Sequence, residues 1–316
     1  MNNEIKLGLI GAGKWGQNYI NTIKDMKGVS IKKIACRSLV GKEDLLRNFE
    51  VTSSWNDIVI SPEIDGIIIA SPPQTHFEIA SEAIRNSKPI IIEKPLTLNL
   101  RDAQLLLKLQ KENQSIVRVN HVYLYHPLYR LLKKQIKNNF DIKSINSLGG
   151  NNGPFRKDVS SLWDWGPHDL SMCLDIFDEF PLKIRAEYID KDLRDGIESS
   201  NLKIVLNFKN DKYAEIKIGN LMKNKKRMLE INFEDFTYVF DPIKHKKIKK
   251  KKNHKFEKIS QIKTFDSIDL TKSPLENLIN EFIDDITSPK IEIKDMNLAI
   301  NVVNILEEID KDLNSK

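Results

Sequence analysis

Three short stretches hold residues whose types and spacing could do chemistry. The first is "GLIGAGKWG", which sets Gly11, Gly13 and Gly16 in a G-x-G-x-x-G spacing after a strand-like run and before a helix-like one. In that context Gly11 permits a tight turn, Gly13 lets backbone amides approach a pyrophosphate, and Gly16 lets the helix pack close to the strand. The helix start at Lys14 and Trp15 then offers unpaired N–H groups and a positive dipole to the phosphates. The second stretch is "IIIEKPLTL", an apolar strand that ends in Glu93 and Lys94. Pro95 disfavours a helical backbone at the lysine and so helps to fix where it points. The third is "SLWDWGPHDL", in which Asp164 and His168 lie four apart. Histidine exchanges a proton near neutral pH, and a carboxylate one helical turn away can orient its ring. Gly166 and Pro167 argue against a regular helix through both residues, so the helix is expected to begin near Pro167, with Asp164 reaching back to the ring. Taken alone, a lysine after a strand is unremarkable, and His168 could be a satisfied core histidine.

A dinucleotide has a second recognition point. About twenty residues after the glycine loop a carboxylate would hold the ribose 2′-hydroxyl of NAD. The sequence there reads "IACRS", with Arg37 and Ser38 and no acid. A guanidinium suits the 2′-phosphate of NADP, which a carboxylate would repel. NADP is therefore the expected cofactor ahead of NAD; a surface arginine with no such role is the other reading.

The elements that must position these groups follow from periodicity. From residue 4 to about 122, short β-branched runs alternate with longer amphipathic ones: "IKLGLI", "VSIKKIAC", "DGIIIAS", "PIIIEK" and "SIVRVNHV" against "WGQNYINTIKDM", "THFEIASEAIRNS" and "NLRDAQLLLKLQKENQ". That rhythm predicts an α/β domain, a doubly wound parallel sheet over residues 1–122. The carboxyl ends of such strands face the ligand crevice, which puts Glu93 and Lys94 at one rim with the stiff turn Ser71-Pro72-Pro73 and with His76. Residues 123–316 read differently. After the amphipathic "HPLYRLLKKQIKNNF" come β-rich segments, "KIRAEYIDKD", "SSNLKIVLNFKN", "KYAEIKIGN" and "RMLEINFEDFTYVF", then two helical ones, "PLENLINEFIDDI" and "MNLAINVVNILEEIDKDL". They predict a second α/β domain with an antiparallel or mixed sheet.

Composition bounds the alternatives. At 316 residues the chain is longer than one core usually serves, and its 40% hydrophobic and 30% charged residues are those of a soluble globular protein. No apolar run approaches the roughly 20 residues that span a bilayer. The start, "MNNEIKLGLIGAG", runs into a strand pattern in place of a basic, apolar leader. With only Cys36 and Cys173, far apart in sequence and in no ligand-like spacing, a disulfide framework or zinc site is not expected, and His121 and His126 lack a carboxylate or cysteine partner at ligand spacing, so no metal is expected. A reducing cytoplasm fits these features best. The net charge of +6 sits in one place: "KHKKIKKKKNHK", Lys244 to Lys255, carries eight lysines, which leaves −2 for the rest (6 − 8). Such runs are usually solvated hairpins or loops, and no aromatic residue interrupts this one to stack on bases. A nucleic acid partner is therefore not expected, and an anion-binding module built on the run is the remote alternative.

"GLIGAGKWG", "ASPPQTH", "IIIEKPLTL" and "WDWGPHDL" occur in the order and spacing of the Gfo/Idh/MocA oxidoreductases, named for glucose–fructose oxidoreductase and inositol dehydrogenase. The two closing helices are similar as well, so the chain resembles that family over nearly its whole length. The resemblance implies a Rossmann domain followed by an α/β domain with a large, mostly antiparallel open sheet. That sheet is often used for oligomer contacts, which implies a homo-oligomer, dimer or tetramer. It implies hydride transfer between nicotinamide and a hydroxyl-bearing carbon of a sugar, a sugar derivative such as a nucleotide sugar or uronic acid, or a cyclic polyol. Lys94 matches the family's catalytic lysine, and Asp164 with His168 its D-x-x-x-H pair. Trp15, Pro72, Pro73 and His76 would lie near the cofactor. Candidates on the substrate side are Tyr123, Arg156, Trp163 and Trp165. The two tryptophans could equally be packing residues, and Arg156 could be a solvated loop residue. In "NHVYLYHP", Asn120, Leu124 and Tyr125 depart from the family's usual form, so substrate contacts there do not carry over. A non-catalytic dinucleotide-binding sensor or scaffold of the same fold is the alternative, and the presence of both Lys94 and His168 speaks against it.

Overall fold

The β-branched runs of the first third of the chain form a parallel sheet because helices cover both of its faces. The computed structural model describes residues 4–38, 43–136, 141–243, 249–252, 255–258 and 269–315. Strands β1 (Ile5–Ile10), β2 (Val29–Ala35), β3 (Glu50–Thr52), β4 (Gly66–Ile69), β5 (Ile90–Glu93) and β6 (Val117–Asn120) lie in the order β3-β2-β1-β4-β5-β6, all parallel. The intervening helices are α1 (Lys14–Lys24), α2 (Glu43–Asn48), α3 (Asn56–Val59), α4 (His76–Arg85) and α5 (Leu100–Asn113). Ile67, Ile68 and Ile69 of β4 and Ile90, Ile91 and Ile92 of β5 are fully buried, as expected of strands covered on both sides. The strand order reverses between β1 and β4, which is where open sheets of this kind hold ligands.

The rest of the chain supplies α6 (Pro127–Ile136), β7 (Ser144–Asn152), α7 (Ser161–Phe177), β8 (Lys183–Arg194), β9 (Ile197–Asn207), β10 (Tyr213–Gly219), β11 (Leu221–Asn232), β12 (Thr237–Phe240), β13 (Lys249–Lys252), β14 (Lys255–Lys258), α8 (Pro274–Thr287) and α9 (Lys294–Asn314). The eight strands form one sheet in the order β14-β13-β12-β11-β7-β10-β9-β8, antiparallel except where β7 meets β10. The expected β-rich segments appear in this sheet. "RMLEINFEDFTYVF" divides into β11 and β12, and β7, "SINSLGGNN", is a central strand despite two glycines and few β-branched residues. Of the lysine run, residues 249–252 and 255 fall in the edge hairpin β13-β14; residues 244–248 and 253–254 lie outside the described residues.

Contacts divide the chain into two compact units, Met1–His121 with Leu275–Val303, and Val122–Pro274 with Asn304–Lys316. In the first unit Arg118, on β6, pins α8 and the start of α9 through Asp285 (2.6 Å), Glu281 (3.4 Å) and Asp295 (3.4 Å). In the second, α7 packs on β7, β9 and β10. Among the described residues no helix is long and apolar enough to cross a membrane.

One local expectation is corrected. The helix does not begin at Pro167: α7 starts at Ser161, the Ser160 hydroxyl accepts from the Trp163 amide, and Pro167 sits inside the helix. The preceding residue makes this tolerable. The proline ring clashes with the Cβ of the residue before it in a helical backbone, and Gly166 has none. A Cβ at Gly166 would in addition meet Leu306 Cδ2 at 2.8 Å.

Candidate active site

The glycine loop closes on the next strand. Gly11 takes φ +102°, donates its amide to the Ala35 carbonyl (2.8 Å), and lies so close to the Ala70–Ser71 backbone that a Cβ would sit 2.6 Å from it. At Gly16 a Cβ would sit 2.1 Å from the Gly11 carbonyl oxygen. Gly13 is the opposite case. It is the N-cap of α1 with no side-chain cap, and among the described residues nothing lies within 4 Å of where its Cβ would be. Gly13 thus adds no side chain beside the first amides of α1, at Lys14, Trp15 and Gly16, where a helix N-terminus receives a phosphate. These residues fit a dinucleotide. Arg37 and Ser38 are exposed just beyond the end of β2, beside the strand that carries the loop.

At the end of β5, Lys94 is 7% exposed and its peptide bond to Pro95 is cis. Glu93, just before it, points into the core: its Oε1 accepts from the Tyr19 hydroxyl (3.0 Å) and the Asn120 amide (2.5 Å). Burial pushes the Glu93 carboxyl up to about 7, against the opposing pull of Asn120, Lys94 and Tyr19. His76 is fully buried, with Nδ1 2.9 Å from the Pro95 carbonyl and Nε2 3.0 Å from that of Ser71. Burial holds its pKa below the usual value, and a neutral ring donates to one of these carbonyls at a time. His76 thus ties the Ser71-Pro72-Pro73 turn to the backbone next to Lys94. Ser71 is further held through its hydroxyl, 2.7 Å from that of Thr75; Pro72 is exposed and Pro73 buried.

In the second unit Asp164 and His168 lie one turn apart on the unbroken helix α7. Asp164 accepts from Arg156 Nη1 at 3.2 Å, while Asp158 takes the Nε and Nη2 of the same arginine at 2.9 and 2.5 Å. Arg156 thus faces two carboxylates already. Trp163 is buried in the first turn of α7; Trp165 is half-buried, with its indole N–H unpartnered among the described residues. Tyr123 stands edge-on to His168, ring centroids 5.3 Å apart at 86°.

Two further residues were not singled out from the sequence. Asp169, directly after His168, is fully buried and forms an ion pair with Arg227, on β11, which is 3% exposed. Ser147 donates to the other carboxylate oxygen at 2.5 Å. The guanidinium carbon lies 4.5 Å from the Tyr123 ring centroid. The available signal was phase: Arg227, Leu229 and Ile231 alternate as the buried face of β11, so an arginine stands at a core position.

The comparisons agree with this geometry. The family model described as "Oxidoreductase family, NAD-binding Rossmann fold" (GFO_IDH_MocA) matches residues 5–121. A solved structure from Magnetospirillum magnetotacticum MS-1, of a protein assigned as an oxidoreductase, is 30% identical over 97% of this chain and 100% of that one, with a TM-score of 0.85. UDP-N-acetylglucosamine 3-dehydrogenase of Acidithiobacillus ferrooxidans is 23% identical over 73% of this chain and 72% of its own. The scyllo-inositol 2-dehydrogenase (NAD(+)) of Bacillus subtilis is 27% identical over 43% of this chain, and the match spans only 41% of that protein. Several other curated relatives are likewise matched over less than half of their length. With the six-stranded sheet, the glycine loop and the second, mostly antiparallel sheet in place, the chain belongs to the Gfo/Idh/MocA family of oxidoreductases.

Proposed function

We propose that this chain is an NAD(P)-dependent oxidoreductase that interconverts a hydroxyl-bearing carbon of a sugar or cyclic polyol with the corresponding carbonyl. The observation that carries the reading is the uncapped start of α1 at Gly13, with space where its Cβ would be and with the tight Gly11 turn just before it. Gly11, Gly13 and the amides of Lys14, Trp15 and Gly16 would hold the pyrophosphate, and Arg37 with Ser38 the adenosine ribose and its 2′-phosphate. The turn Ser71-Pro72-Pro73 and the strand end at Glu93 and Lys94 would border the rest, with His76 bracing them from within. When bound, the nicotinamide supplies the hydride donor or acceptor.

The chain's own residues handle the proton. His168 takes it from the substrate hydroxyl at an imidazole nitrogen and returns it in the reverse direction, and Asp164, one turn back on α7, holds the ring. A lysine ammonium such as that of Lys94 is suited to stabilising negative charge that develops on a substrate oxygen. Arg156, matched by Asp158 and Asp164, brings little net positive charge to an incoming anion. That favours an uncharged sugar or polyol over a uronate. Relatives that act on an inositol and on a nucleotide sugar set the range to try.

The test is a panel of inositols, aldoses, uronates and nucleotide sugars, each assayed with NAD and NADP by nicotinamide absorbance. Lys94→Ala and His168→Ala are each expected to lower kcat by about 10²–10⁴-fold while the dinucleotide still binds; near-normal turnover in either variant removes that residue from the mechanism. Arg37→Ala is expected to weaken NADP about 10- to 100-fold and leave NAD unchanged. Dinucleotide binding without turnover of any panel member would favour the sensor reading instead.

A further inference from the structure

We propose that Arg227 is a positioning residue that fixes the imidazole of His168 by holding Tyr123 against it. The proposal rests on the reading of His168 as the group that exchanges the substrate proton. It begins with a conflict: an arginine occupies the core-facing phase of β11, where Leu229 and Ile231 follow it. A buried guanidinium is costly unless it is paired and shielded.

The surroundings are built to accept it. Directly across the sheet from Arg227, in register on β7, is Gly149. A Cβ there would lie 2.5 Å from both Arg227 Nη1 and Asp169 Oδ2, so the missing side chain is the space that the ion pair fills. Asp169 comes from α7 and is steadied by the Ser147 hydroxyl, so β7, β11 and α7 meet at one charge pair. Burial works against the charge on Arg227, and Asp169, followed by Tyr123, more than offsets it.

The pair also has a direction. The guanidinium carbon lies 4.5 Å from the Tyr123 ring centroid and 5.9 Å from that of Trp165, and the Tyr123 ring stands edge-on to His168. Cation, phenol ring and imidazole thus lie in contact one after the other, and His168 precedes Asp169 on the same helix. The imidazole is held from two sides, by its own backbone through Asp169 and by the ring that Arg227 supports. Tyr123 meets Arg227 through its hydroxyl as well as its ring.

The experiment reads the ring itself. In the full chain with histidines labelled with ¹⁵N, the imidazole signals of His168 are assigned by their loss in His168→Gln and recorded at one mildly alkaline pH, where they report the tautomer. One dominant tautomer is expected in the unaltered chain. In Tyr123→Leu and Arg227→Met the signals are expected to move toward the average of the two tautomers, with kcat lowered about 10- to 100-fold and the KM for the dinucleotide unchanged. Unaltered His168 signals in the folded variants overturn the proposal. If Arg227→Met does not fold, Tyr123→Leu, which leaves the ion pair intact, decides alone. Absence of turnover in the unaltered chain would count against the functional reading, whereas the imidazole spectra would still decide this one.

Discussion

Glu93 carries a charge problem that its neighbour Lys94 does not remove. Its carboxyl is buried, two donors reach Oε1, and Oε2 is without a hydrogen-bond partner among the described residues. Burial raises its pKa from 4.5 to about 7. The folded chain therefore binds this proton more tightly than the unfolded chain, and stability falls as pH rises from about 4.5 to about 7, then levels off. Glutamine keeps the oxygen that accepts from Tyr19 and Asn120 and carries no charge. Glu93→Gln is expected to be close to neutral near pH 4.5 and to stabilise the chain above pH 7 by on the order of 2–3 kcal/mol. Thermal melts at both pH values check this; an equal shift at the two would mean that ionisation is not the cause.

At the scale of elements, α1 and its loop combine two functions that substitution can separate. Gly11 and Gly16 are required by the fold, since a Cβ at either would collide with backbone. Gly13 has open space and a backbone (φ −77°, ψ −162°) that alanine adopts readily. Gly13→Ala is therefore expected to change stability by less than about 1 kcal/mol. It is also expected to raise the dinucleotide Kd at least tenfold, because the new methyl fills the approach to the helix amides. Titration calorimetry beside a melt distinguishes this from Gly11→Ala, which should lose both. The first sheet was legible from sequence because isoleucine runs alternated with amphipathic helices, and the two strand ends bearing Ser71 and Glu93-Lys94 followed from that. The second unit was less legible. Strand β7, with few β-branched residues, has no periodic signature and is central because it faces Arg227 and α7. The helix through Pro167 depended on Gly166, whose effect is steric. The Asp169–Arg227 pair could be found only by combining the phase of β11 with that of α7, two segments nearly sixty residues apart.

For the molecule as a whole, the candidate chemistry is divided between the two units, with the glycine loop and Lys94 in one and Asp164, His168, Tyr123 and Arg227 in the other. The positive charge belongs to neither set. Eight lysines in residues 244–255 outweigh the whole excess of +6, so affinity for polyanions is expected to come from that run and not from the residues placed in the mechanism. Electrostatic contact of this type works by counterion release, with log K falling against log salt by about 0.9 per phosphate neutralised on duplex DNA. No aromatic residue interrupts the run to add stacking that salt would spare. The chain is therefore expected to be retained on heparin and to bind a short duplex at low salt, without sequence preference, and to release both by about 0.15 M. Replacing the eight lysines with glutamine should abolish retention and leave dinucleotide affinity unchanged. Duplex binding that persists above that salt, or that survives the replacement, would mean that a second surface recognises nucleic acid.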